Sequence, residues 1–374
     1  MKNYYSLALV WSMLLVITVS CNQGGMDAKD KATGSPVISL ITTQFGSKAA
    51  YDCPVTIKGS DFSTRPGGNV VFFGDIQVTS LIESSEDVIV VASPLVEGYS
   101  VPVKVIADGV ESNEYMLEYD EVKCDSVLIF RNASVTKLRE GVVWTSALTT
   151  WEGFPRSLNV VSITPSETNV LGIACPSGFA YTSAQGKAAG ALVAINASYF
   201  GGTKHDSYVK IGGEVKREGV AKADGCSAYF ANGVFTLTDN VPAIAPVVGN
   251  EGAAELAISD VLCCGPLLID DNTVQTMTSS DHNTLSHPRT AIGVTEDGRV
   301  LLVTVDGRFT QAEGMSTQLL ASYMKILGAK SAMNLDGGGS TTMWIDGHGV
   351  VNHPCEAGWN VRMERKVDAI IYLK

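Results

Sequence analysis

The sequence predicts a small all-β sandwich followed by a larger α+β domain, with a large mixed or antiparallel sheet and a few helices. Three observations carry that expectation. The chain has 374 residues, long for a single core, so two domains are expected. It is 45% hydrophobic and only 18% charged, with 37 glycines, a mix that suits a turn-rich globular protein and not a disordered one. Short apolar runs separated by turn signals fill residues 36–120. From residue 121 onward, such runs are interleaved with helical patterns.

The N-terminus reads as an export signal. Lys2 supplies a small positive region, and Ser6 to Val19 is an almost unbroken apolar run, too short to span a membrane comfortably. It ends in Thr18-Val19-Ser20-Cys21, which resembles a bacterial lipobox, with Thr18 where leucine is usual. The resemblance implies a signal peptide over 1–20, lipid attachment at Cys21, and export to the bacterial cell envelope, on the periplasmic side or at the cell surface. A plain signal peptide with an incidental cysteine is the alternative. Residues 21–35 are polar and read as a tether.

Charge and cysteine usage narrow the function. A formal charge of −12 without a Lys/Arg run argues against nucleic-acid binding. Eight cysteines leave seven after Cys21, an odd number, so at least one is free or pairs outside the chain. No Cys-x-x-Cys or His-Glu-x-x-His spacing occurs, and histidines number five, so zinc chemistry is not expected. No cofactor is required by these patterns, although a structural divalent cation such as calcium is compatible with them.

Within residues 36–120, the runs Val37–Ile41, Val55–Lys58, Val70–Phe73, Val88–Val91, Val101–Ile106 and Tyr115–Tyr119 are strand candidates. Gly59-Ser60-Asp61, Pro66-Gly67-Gly68 and Asp108-Gly109 mark turns between them. Pro36-Val37-Ile38, Val55 to Phe62 and Val70 to Gly74 resemble an IPT/TIG module. That resemblance implies an immunoglobulin-like sandwich acting as a spacer or contact surface.

In residues 121–374, Thr182 to Ala191 and Ser316 to Leu327 predict helices. Ser316 is the expected N-cap of the second, and Gly328 its stop. Thr290–Thr295, the turn Glu296-Asp297-Gly298 and Arg299–Val305 predict a hairpin. Counting back from the turn sets Arg289 opposite Val305, so Arg289, Thr290, Asp306 and Arg308 gather at its open end. Guanidinium forks match phosphate oxygens, which makes this cluster a candidate anion site; a surface ion pair finishing a hairpin is the bland alternative.

Asn334-Leu335-Asp336 then predicts a strand end followed by Gly337-Gly338-Gly339-Ser340-Thr341. Three consecutive glycines are expected where main chain closely approaches a ligand or forms an anion nest. A third stretch, Val193 to Gly202, delivers Asn196 and Tyr199 to a loop. Amides and aromatic rings of this kind bind sugar hydroxyls and cover sugar faces.

The order and spacing of Asn196–Gly202, Gly265-Pro266-Leu267, Pro288 to Gly293, Asp306-Gly307-Arg308, Gly314 to Ala321, Asn334 to Thr342 and Glu364-Arg365 resemble the phosphodiester glycosidase domain family. Gln318 departs from the family pattern, standing where many members carry an acid. Asn196 to Phe200 replaces a more Gly-rich version. The resemblance implies a hydrolase acting on a sugar–phosphate diester. Asp306, Asp336 and Glu364 are then the candidate catalytic carboxylates. Asn196, Tyr199, Arg289, Thr290, Arg308, Asn334, Gly337, Gly338, Gly339, Ser340, Thr341 and Arg365 are the candidate substrate contacts. Two rival readings share these residues: a glycan-binding surface lipoprotein without activity, and a metal-dependent phosphodiesterase with Asp306 and Asp336 as ligands.

Overall fold

A computed structural model describes residues 34–374 apart from 45, 97, 203 and 221–230. The expectations for the signal segment and for Cys21 lie outside the described residues. The chain divides into two compact units. Of the described residues, the first takes 34–44, Pro54–Val96 and Val101–Leu117, and the second takes 46–53, 98–100 and those of Glu118–Lys374.

The first unit is a β-sandwich. One sheet runs Val37–Thr43, Pro54–Ser60, Val88–Ala92, Leu81–Ser84 in spatial order. The other holds Tyr115–Tyr119, Ser100–Ala107, Asn69–Phe73 and Ile76–Val78. Strand Ser100–Ala107 alternates inward Val101, Val103, Val105 and Ala107 with outward residues, the period-two pattern of a half-buried strand. Asp108 and Gly109 both take positive φ, 48° and 88°, which a two-residue hairpin turn requires.

Within the second unit, an eight-stranded antiparallel sheet has the order Ser134–Arg139, Val142–Trp151, Phe154–Ile163, Val300–Val305, Arg289–Thr295, Ala329–Asn334, Leu267–Asp270, Thr273–Val274. Two five-stranded sheets accompany it, one centred on Val193–Asn196 and one on Asp260–Cys264. Val161, Ile195, Phe235, Leu262, Leu302, Met333 and Ile371 bring all three sheets into one core. The helix Thr317–Ile326 covers the opposite face of the large sheet, setting Leu320, Tyr323 and Met324 against Leu268, Val303 and Ala332. With both faces covered, Val300–Val305 is buried at every position, which explains its unbroken apolar run.

The Ser316 hydroxyl caps that helix by accepting from the Leu319 amide at 3.1 Å, and Gly328 follows it with φ of 87°. The hairpin has Arg289 paired with Val305, the register that counting from its turn gives. The helix Glu121–Phe130 is an addition to the elements anticipated from sequence. Its buried Asp125 interrupts the apolar face by which such helices are recognised.

Candidate active site

Five chain segments converge where strands of three sheets begin or end. Arg289 opens one strand, and Asp306 to Arg308 follow its hairpin partner. Leu335 to Gly339 follow the strand Ala329–Asn334, Ala197 to Tyr199 follow Val193–Asn196, and Arg365 lies just before Lys366–Val367. Together they bound a polar cavity of about 320 Å³ lined by Tyr199, His282, His287, Arg289, Arg308, Asp336, Gly337, Gly338, Gly339 and Arg365.

Buried amides lock these segments together. The Asn196 side chain donates to the Asp336 carbonyl at 2.6 Å and accepts from the Thr290 hydroxyl at 2.7 Å and the Thr342 amide at 3.0 Å. Asn334 donates to the Tyr199 hydroxyl at 2.7 Å and to the Gly265 and Leu335 carbonyls at 3.0 and 2.7 Å. Both asparagines are fully buried. They are scaffold beneath the cavity, as is Thr290, and not part of its lining. Ser340 and Thr341 are also buried outside the lining.

The glycine run allows close approach. A Cβ on Gly337 would stand 2.7 Å from the Pro288 carbonyl oxygen, and one on Gly339 would collide with Glu356 and Arg365. The run does not form the expected anion nest. The Gly338 amide donates to Pro288 and the Ser340 amide to Gly337, at 2.8 and 3.1 Å, while the Gly337 amide faces the Asp336 carboxyl. These N–H groups are engaged within the protein, so the positive wall comes from side chains.

Those side chains differ in freedom. Arg289 is buried, and its guanidinium donates to the carbonyls of Met315, His282 and Leu285 at 2.8, 2.6 and 3.2 Å. Burial, reinforced by Arg308, lowers its pKa to about 10. Arg308 is exposed, and its contacts to Cys355 Sγ and His287 Nδ1 are long, at 3.6 and 3.5 Å. Its backbone is left-handed, φ 67°, a conformation unfavourable for a residue with a Cβ and concentrated at functional sites. Arg365 pairs with Glu356 above Gly339.

Asp336 is the carboxylate of the cavity. Burial raises its pKa from 3.8 to about 7, against the Ser340 hydroxyl, Arg365 and the Gly337 amide, which pull it down. His282, 3.1 Å from the Tyr199 hydroxyl, is lowered to about 4 by burial and by Arg289. His287 is lowered for the same reasons.

The other two candidate carboxylates face elsewhere. Asp306 accepts from Ser157 Oγ at 2.5 Å, Asn352 Nδ2 at 3.0 Å and the His353 amide at 2.8 Å. Glu364 accepts from the Ser183 amide at 2.9 Å and from its hydroxyl, satisfying the first turn of helix Thr182–Ala189. Asp306 and Asp336 are therefore held by different sets of partners. Among the described residues, no group of three or more His, Cys, Asp or Glu side chains is placed to hold a metal ion. The sequence reading missed His282, His287 and Glu356. His287 stands two residues before Arg289 and was within reach of the hairpin argument; nothing local marks the other two.

Comparison with known proteins gives this geometry a family. Residues 189–374 match the phosphodiester glycosidase family, and residues 36–119 match the IPT/TIG domain. The chain carries a phosphodiester glycosidase domain. The catalytic domain of zebrafish N-acetylglucosamine-1-phosphodiester alpha-N-acetylglucosaminidase, auto-inhibited by its pro-peptide, superposes with a TM-score of 0.51 at 16% identity. That match covers 65% of this chain and 87% of that one and shows a shared fold. The SPbeta prophage-derived uncharacterized protein YomE of Bacillus subtilis (strain 168) is 31% identical over 137 residues, 36% of this chain; the chain covers a fifth of that relative's length, 20%.

Proposed function

We propose that the protein hydrolyses the bond between an anomeric carbon and the phosphate of a sugar-1-phosphodiester. The observation that carries this reading is Asp336, a carboxyl titrating near 7 in a cavity whose other charged lining groups are guanidiniums. In this reading Arg308 and Arg365, both in the cavity lining, hold the phosphate and stabilise charge that builds on it as it leaves. Ionised Asp336 takes a proton from a water molecule. The water oxygen bonds to the anomeric carbon, and the C–O bond breaks with its electron pair leaving on the phosphate. Arg289, fixed by three carbonyls, acts as a rigid positive wall.

Hydrolysis in oxygen-18 water tests the reading. With a sugar-1-(alkyl phosphate) as substrate, C–O cleavage labels the released sugar and leaves the phosphate unlabelled. Label on the phosphate would establish P–O cleavage and overturn the proposal in favour of a phosphodiesterase.

A further inference from the structure

A second depression lies outside the hydrolytic cavity. On strand Val142–Trp151, Trp144, Ser146 and Leu148 alternate on one face. Their direct partners on Phe154–Ile163 are Val161, Asn159 and Ser157. Two adjoining cavities of about 520 and 550 Å³ run over this face and share Asn132 and Leu148 as lining. Positions 144 to 150 span about 20 Å at the rise of a strand, so the depression is a groove long enough for an extended ligand. Trp144 stands in one cavity; Trp359, stacked on His353 at 3.8 Å between centroids, stands in the other. Leu148 lies between them, 68% exposed.

The chemistry of the lining is selective. Indole rings beside amides and hydroxyls are the surface on which sugar rings stack and hydrogen-bond. No Asp or Glu lines either cavity, although the chain carries a net charge of −12. Arg131 and Arg362 do line it, both exposed, so the groove is a positive exception on an acidic protein. The groove also shares a segment with the hydrolytic cavity. His353 and Trp359 face the groove, while Cys355 contacts Arg308 and Glu356 pairs with Arg365.

We propose that this groove is a second carbohydrate site that takes an anionic glycan chain. The chain stacks on Trp144 and Trp359 and sets its acidic groups against Arg131 and Arg362. It rests on the hydrolase reading only in that such a site would hold a polymeric substrate away from the scissile bond, where remote binding energy is useful. As a binding site it stands without that reading.

Calorimetric titration of the full chain tests it with three hexameric probes: an oligogalacturonate, a sulfated malto-oligosaccharide and a neutral malto-oligosaccharide. At least one anionic probe is expected to bind at least tenfold more tightly than the neutral one and to quench tryptophan fluorescence. Leu148→Asp places a charge on the exposed groove floor without touching a core, and should weaken that binding about tenfold, as should Trp359→Ala. Leu148→Asp should leave turnover of a small sugar-1-(alkyl phosphate) unchanged, so failure of the groove and failure of the hydrolase reading are read separately. Absence of binding by both anionic probes at millimolar concentration, equal binding of the neutral probe, or affinity unmoved by both substitutions would overturn the proposal.

Discussion

At the scale of single residues, the cavity shows how one environment sorts titratable groups. Burial lifts Asp336 to about 7 and depresses His282 to about 4, since each disfavours its charged form. In the proposed mechanism, kcat/KM should rise with pH along a limb near 7, and His282, neutral throughout that window, cannot be its source. Asp336→Asn should remove the limb and lower kcat by about 10²–10⁴-fold. A linked effect on stability has a defined sign. A carboxyl raised from 3.8 to about 7 on folding contributes fully below about pH 4 and loses that contribution as pH rises to 7. The variant, neutral throughout, should therefore gain in Tm relative to the parent between pH 4 and pH 8. A flat kcat/KM profile from pH 5.5 to 8.5, with no such relative gain in Tm, would remove Asp336 from this role. The same scale shows why sequence alone leaves the choice among the three carboxylates open. Asp306 is engaged by Ser157, 149 residues away, and Glu364 by Ser183, 181 residues away. Polarity beside a strand end is visible in a sequence, but those partners exist only once the sheets have formed.

At the scale of elements, glycines decide where segments can meet, and two of them should respond differently to alanine. Gly314 has φ of 93°, and its added Cβ would stand 2.5 Å from the His287 carbonyl oxygen, which is backbone held in a bridge between His287 and Met315. Gly314→Ala should cost about 1–3 kcal/mol in denaturant unfolding, because neither strain nor clash can relax. The Cβ of Gly339→Ala would meet the ends of Glu356 and Arg365, both of which can swing aside. That variant should keep its denaturant midpoint while kcat/KM falls at least tenfold, since Arg365 is displaced from the cavity. Equal loss of stability in both would refute the distinction. Elements governed by local rules were legible beforehand: the hairpin through its Glu296-Asp297-Gly298 turn, and helix Thr317–Ile326 through Ser316 and Gly328. The role of the triple glycine was not. Whether such a run cups an anion or lets other segments approach depends on where its amides point, and those of Gly338 and Ser340 point to Pro288 and Gly337.

At the scale of the whole molecule, the division of labour follows from where cores and cavity lie. Every lining residue of the candidate active-site cavity belongs to the second unit. The first unit has its own buried set, in which Ile57, Ile89, Val103 and Val105 are fully enclosed. A cavity-forming change there acts on the stability of that sandwich. Ile57→Ala removes a fully buried branched side chain and should destabilise the first unit by about 2–5 kcal/mol. Denaturant unfolding should then separate into two transitions, the earlier one shifted, because the two-state description fails once one core is weakened alone. Below that earlier transition, kcat/KM on a small sugar-1-phosphodiester should equal that of the parent chain. A parallel loss of activity at denaturant concentrations where the first unit is still folded would show that the sandwich contributes to the chemistry. That result would reassign it from a spacer or contact surface to a working part of the enzyme.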